Sequence, residues 1–300
     1  MFERLQKLIR SEKSPAQKRL GYILKLVITI SILVYVFSKV DLRAAFYQAS
    51  HLPFLCALAI FLLSVLRHSI QCLNWRTALN MNPGFKNDAK QIISSYLVAL
   101  PLRFVIPGGH ATFAKVFYLK NTSILASLIA TTAERLFMSW ATWTFAAIAA
   151  YFVFPEMNIL LRLTLVIVTA FLPLWAAILM SFGKARAHLP GYIRQAPRMM
   201  LLQIANTLIM YLQYYIVLNY LGVISALDTW LGISLTNLAN SIPVTISGLG
   251  LREGFAIHFL ENYGFSPSAA VAATLSVFFF HDLIPAFAGG IVLIRAKRKN

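Results

Sequence analysis

Apolar residues run through this chain in blocks of about 20, separated by short polar and mostly basic segments. Residues 21–38, 53–71, 136–154, 159–181, 199–221 and 268–294 are each long enough, at about 1.5 Å per residue, to cross the hydrocarbon core of a bilayer. Two further runs, 91–106 and 231–246, are equally apolar but too short for a simple crossing. The first holds Pro101 and Arg103 and ends at Pro107-Gly108-Gly109; the second leads into SIPVTISGLGLREG, residues 241–254. The pattern predicts an all-α polytopic membrane protein with about six full spans plus two re-entrant or broken helices.

The 241–254 stretch is the centre of this reading. Pro243, Gly248 and Gly250 open a backbone that lipid cannot satisfy, at several kcal/mol per orphaned group, so such a break survives only where protein or water covers it. Irregular backbone at membrane depth therefore marks a cavity, into which half-helix ends project partial charge. Arg252 and Glu253 stand beside the break and can fix or oppose an ionic group there.

Composition agrees with the membrane setting: 59% of residues are hydrophobic and 12% charged. The net charge of +17 sits mostly in tails and short loops, where the positive-inside bias accounts for it, and no basic face interleaved with aromatics points to nucleic acid. Residues 1–20 carry six Lys or Arg against two Glu and read as a basic cytoplasmic segment lying on the membrane surface, followed by an uncleaved anchor. Residues 21–294 form a single transmembrane domain, and residues 295–300 a basic cytoplasmic tail. The loops at 72–90, with its Asn82-Pro83-Gly84 turn, and at 183–198, with four basic residues and no acid, are cytoplasmic by the same rule. Cys56 and Cys72 lie sixteen positions apart on one predicted helix, roughly 24 Å along its axis, and cannot bridge each other.

Several polar groups interrupt the apolar runs. Arg67, His68, Gln71, Asn74 and Arg76 either snorkel to the interface or line an entrance. Gln203, Asn206, Gln213 and Asn219 read as interhelical glue or as ligand contacts. Glu134 and Arg135 point to different sides of a helix, so each needs a partner elsewhere. His281-Asp282 sits inside the last span, where Arg252 or Arg135 could partner Asp282. A kink is expected at Pro173. No nucleotide loop, no H-E-x-x-H and no cysteine cluster occurs, which argues against an enzyme, a metal site or a cofactor. IPGGHATFAKVF from Ile106 and IPVTISGLGLREGF from Ile242 share an Ile-Pro start, a following Gly, a basic residue and a Phe, in halves that the charge rule orients oppositely. Inverted repeats with a site at their interface are one arrangement that would produce this.

SGLGLREG after a Pro-bearing short helix, Glu134-Arg135 in a long span, and Pro285 with Gly289-Gly290 in the last one resemble the flippase-like integral membrane domain of the lysylphosphatidylglycerol synthase, MprF-type, family. The resemblance covers nearly the whole chain. It implies a stand-alone member in a prokaryotic inner membrane, with both termini cytoplasmic, that moves or handles an anionic phospholipid, an aminoacylated lipid or a lipid-linked intermediate. The resemblance marks Pro243, Ser247, Gly248, Gly250, Arg252 and Glu253, with Glu134 and Arg135. His110 and Lys115 stand where an acid and an Arg are expected after the first Pro-Gly turn. Without a soluble synthase domain, aminoacylation is not expected of this chain. In the leading hypothesis, Arg252 with Arg103 or Lys115 binds a phosphate. Glu253, Glu134 and Asp282 pair those bases when the site is empty, and His281 adjoins them. The alternative is a non-transporting scaffold for an envelope lipid or polysaccharide enzyme, with a homo-oligomer as a further expected state.

Overall fold

In the computed structural model the described residues are 40–86, 88–105, 110–119, 123–242 and 248–297, with Val27, Ile30, Ser31, Val34 and Ser38 from the first apolar run. The basic segment 1–20 and most of the expected first span lie outside them, as do Pro107, Gly108, Gly109, Pro243 and Ser247. Among the described residues every regular element is helical. The protein is an all-α polytopic membrane protein.

Helix α1 (Leu42–Ser50) starts where Asp41 accepts the Ala44 N–H at 3.0 Å. It rests on the last span through Ala45 and Val271. Helix α2 (Phe54–Leu79) begins after Pro53 and continues well past residue 71, so the expected loop at 72–90 shrinks to a short turn around Gly84, whose φ of 75° suits glycine. Helix α3 (Ala89–Val105) and a 3-10 segment (His110–Tyr118) flank the first Pro-Gly turn. Helix α4 (Ile124–Val153) is one 30-residue helix capped by Ser123 and begins well before the expected crossing at 136–154. Glu134 therefore sits inside a span.

Helices α5 (Ile159–Ala170) and α6 (Leu172–Met180) form one broken span bent by 52°, with Pro173 in the first turn of α6. Helix α7 (Leu189–Leu221) absorbs part of the expected 183–198 loop and carries Pro197 within it. Helices α8 (Ala226–Asn237) and α9 (Leu251–Glu261) are the two short arms around the second break. The last span is α10 (Pro267–Phe278), a π turn (Phe279–Leu283) and α11 (Ile284–Lys297). Among the described residues four helices are long and apolar enough to cross a membrane, or five with the bent pair. That is five of the six expected crossings, the sixth falling on residues 21–38.

Pro101 does not break α3, which runs through it. A proline at 101 leaves the Leu97 carbonyl without its helical donor. Gly289 of α11 packs against that carbonyl and against the Pro101 ring, so closely that a Cβ would collide with backbone. Helix α3 is thereby pressed onto the last span.

Two aromatic-rich cores hold the bundle. One gathers Trp75, Phe137, Trp140, Tyr192 and Met199 from α2, α4 and α7; the other gathers Tyr211, Tyr214, Leu260, Phe265 and Ala273 from α7, α9, α10 and the loop between the last two. The polar site lies where these helices meet.

Candidate functional site

A cavity of about 350 Å³ opens among α2, α3, α4, α7, α8 and the second break. Helix α2 contributes Arg67, His68 and Gln71, which share one face because they are spaced by one turn. Helix α3 contributes Tyr96 and Arg103, α4 contributes Arg135, Ser139 and Trp143, and α7 contributes Gln203 and Asn206. Asn237, Asn240, Gly248 and Arg252 come from the second break, and His281 and Asp282 from the π turn.

The π turn has a local consequence. Among its main-chain groups the His281 carbonyl accepts from His68 Nε2 at 2.8 Å, and His68 Nδ1 lies 2.7 Å from the Tyr96 hydroxyl oxygen. The two imidazoles stack with centroids 4.5 Å apart. These contacts tie α2, α3 and the last span together at the cavity wall.

Lys115, Arg252 and Arg103 each meet an acid. Lys115 of the 3-10 segment pairs with Glu134 of α4, and its Nζ lies 3.7 Å from the Trp75 ring centroid. Arg252 Nη2 lies 2.6 Å from Glu253 Oε1, while Glu253 Oε2 accepts the Gly250 N–H at 2.6 Å. Adjacent residues do pair here, because the long Arg252 side chain folds back across the helix start and over the Phe278 ring. Arg103 Nη1 lies 3.9 Å from Asp282 Oδ1, and it is Arg103, not Arg252 or Arg135, that partners this acid. Arg135 donates to Thr112 Oγ1 at 2.8 Å.

The structure therefore divides the sequence-derived residues. Arg103, Arg135, Gly248, Arg252, His281 and Asp282 reach the cavity. Lys115, Glu134 and Glu253 stand behind its wall in buried ion pairs, with Gly250 at the start of α9 and Pro101 inside α3.

The residue that sequence reasoning undervalued is Arg67. It is only 7% exposed, it lines the cavity instead of snorkelling, and its Nη1 donates to Gln213 Oε1 at 2.7 Å. Its Nε has no hydrogen-bond partner, and among the described residues no carboxylate pairs with it. The available signal was the i, i+4 spacing of Arg67 and Gln71 within the polar cluster that closes this apolar run.

Residues 22–289 match the family of the lysylphosphatidylglycerol synthase TM region. The chain belongs to this family. The match takes in both breaks and every residue of the cavity wall. Family membership gives the site a membrane, lipid-related setting. No match is found among curated proteins.

Proposed function

We propose that this chain translocates an anionic lipid, or a lipid-linked intermediate, across a prokaryotic inner membrane, with the lipid phosphate held in the Arg-lined cavity. The observation that carries the reading is Arg67, a buried guanidinium that forms no ion pair among the described residues, beside Arg103, Arg135 and Arg252 in a cavity whose described wall holds one carboxylate, Asp282. A buried unpaired charge costs several kcal/mol, and a phosphate entering the cavity would offset that cost through bidentate, charge-assisted bonds. Guanidinium suits the task because it stays charged in a dry site and presents a planar fork of donors.

Inverted halves meeting at the cavity and termini on the cytoplasmic side belong to the same proposal. The buried Arg252–Glu253 pair is closed and paired, as a scaffold would have it. The adjoining cavity, open and dominated by arginine, favours transport, and in this reading the ion pair braces the half-helix that frames the cavity.

The test is a proteoliposome assay with fluorescent phosphatidylglycerol and a membrane-impermeant quencher, comparing wild type with Arg67→Gln. Wild type should expose the inner-leaflet lipid, and the variant should do so at least about tenfold more slowly, a change of roughly 1.4 kcal/mol in the barrier. Equal rates in folded, reconstituted protein would reject the phosphate role and leave the scaffold reading.

A further inference from the structure

The amide groups of α7 fall into two sets. Gln213 is fully used by the protein: Oε1 accepts from Arg67 at 2.7 Å, and Nε2 donates to the Ile60 carbonyl at 3.0 Å and to Ser64 Oγ at 2.7 Å. That is interhelical glue. Gln203 and Asn206, two to three turns away on the cavity wall, are not used in this way. Gln203 reaches Gln71 only at 3.3 and 3.4 Å, and Asn206, 7% exposed, has an Oδ1 without any partner.

A buried carboxamide left without partners costs about 1–3 kcal/mol, so its retention here points to a ligand that supplies them. A carboxamide offers a donor and an acceptor together, which matches hydroxyl groups, since each of these also donates and accepts. The cavity is poorly suited to an ammonium group: its single acid, Asp282, already lies 3.9 Å from Arg103, and four arginines share the space. The volume, about 350 Å³, lies at the lower end of the range for small-ligand sites.

We infer that the cavity takes a phosphate diester carrying a neutral, hydroxyl-rich substituent, such as a sugar or polyol, with the arginines on the phosphate and Gln203 and Asn206 on the hydroxyls. This rests on the phosphate reading above and names the headgroup class for the same site. It excludes aminoacylated headgroups as preferred cargo.

Calorimetric titration of the purified full-length chain in detergent separates the alternatives. The probes are dioctanoyl phosphatidylinositol, dioctanoyl phosphatidylmethanol, dioctanoyl lysylphosphatidylglycerol and soluble inositol 1-phosphate. Phosphatidylinositol should bind at least about tenfold more tightly than phosphatidylmethanol, which has the same diester charge and no hydroxyls. Asn206→Leu should reduce that preference to less than about threefold without weakening phosphatidylmethanol. The substitution removes no hydrogen bond from Oδ1, and a melting curve matching wild type would establish that the variant is folded; Asn206→Asp, of the same size, should weaken every anionic probe.

Equal binding of the two diesters overturns the polyol subsite and leaves the phosphate reading standing. Tightest binding of lysylphosphatidylglycerol overturns the inference outright. Inositol 1-phosphate binding as tightly as phosphatidylinositol would keep the hydroxyl-phosphate chemistry but assign it to a soluble ligand, against translocation of a lipid. Absence of binding by every phosphate rejects both readings.

Discussion

Lys115 and Glu134 form an ion pair almost completely shut from solvent, with side chains 2% and 3% exposed, and the pair fastens the 3-10 segment after the first turn to the middle of α4. Neither residue lines the cavity. Two charges at this depth are retained because each neutralises the other, while Trp75 covers the ammonium.

Removing one partner should therefore be much worse than removing both. Lys115→Met or Glu134→Gln alone is expected to destabilise the protein by about 3–5 kcal/mol, and the double variant to recover most of that loss. Thermal melts of the four proteins in one detergent measure the coupling, and additive losses would contradict the pairing.

The Arg252–Glu253 pair carries a parallel expectation with a functional edge. Arg252→Ala leaves a carboxylate buried at the start of α9, so loss of transport in that variant would mix binding with folding. Arg252→Ala combined with Glu253→Gln keeps an acceptor for the Gly250 N–H and removes the stranded charge. The double variant should melt nearer wild type, within about 1–2 kcal/mol, yet bind anionic lipid more weakly. Wild-type binding in that background would take Arg252 out of the site.

Asp282→Asn should behave differently. The Arg103–Asp282 contact is long, at 3.9 Å, and both side chains are roughly one-third exposed, so its loss should cost less than about 1 kcal/mol. It also deletes the sole carboxylate of the cavity wall, so affinity for an anionic headgroup should rise severalfold. Unchanged or weakened binding would mean that Asp282 itself contacts the ligand.

Gly289 and Gly290 offer a control for packing. A Cβ at Gly289 would collide with the Leu97 carbonyl and the Pro101 ring, whereas a Cβ at Gly290 would meet nothing within 4 Å. Gly289→Ala should lower the melting temperature by driving α3 from α11. Gly290→Ala should be neutral or stabilising by up to about 1 kcal/mol, since alanine is the better helix former. Equal effects at the two positions would dispute the α3–α11 contact.

Much of the architecture is legible in the residues alone, because crossing a bilayer imposes a length and an apolarity that are local properties of sequence. The five crossings within the described residues, the two short arms and the bend near Pro173 all follow from them. The boundaries are less legible. Helix α2 extends past its polar cluster because neighbouring helices rather than water receive Arg67, Gln71 and Asn74, whereas α7 begins inside a basic segment whose Arg194 and Arg198 stay exposed. Charge tallies alone cannot tell a loop from a buried helix end.

The sequence by itself determined that this chain is a helical membrane protein broken in two places, and that its few buried acids must find bases. Only the tertiary structure decided which ones. Glu134 took Lys115, Asp282 took Arg103, and Glu253 took its own neighbour. It also turned Arg67 inward to Gln213, 146 positions away, where among the described residues no carboxylate forms an ion pair with it. The reason is physical: in lipid both faces of a helix are apolar, so hydrophobic periodicity does not mark the inward one, and electrostatic partners are chosen by proximity in the bundle.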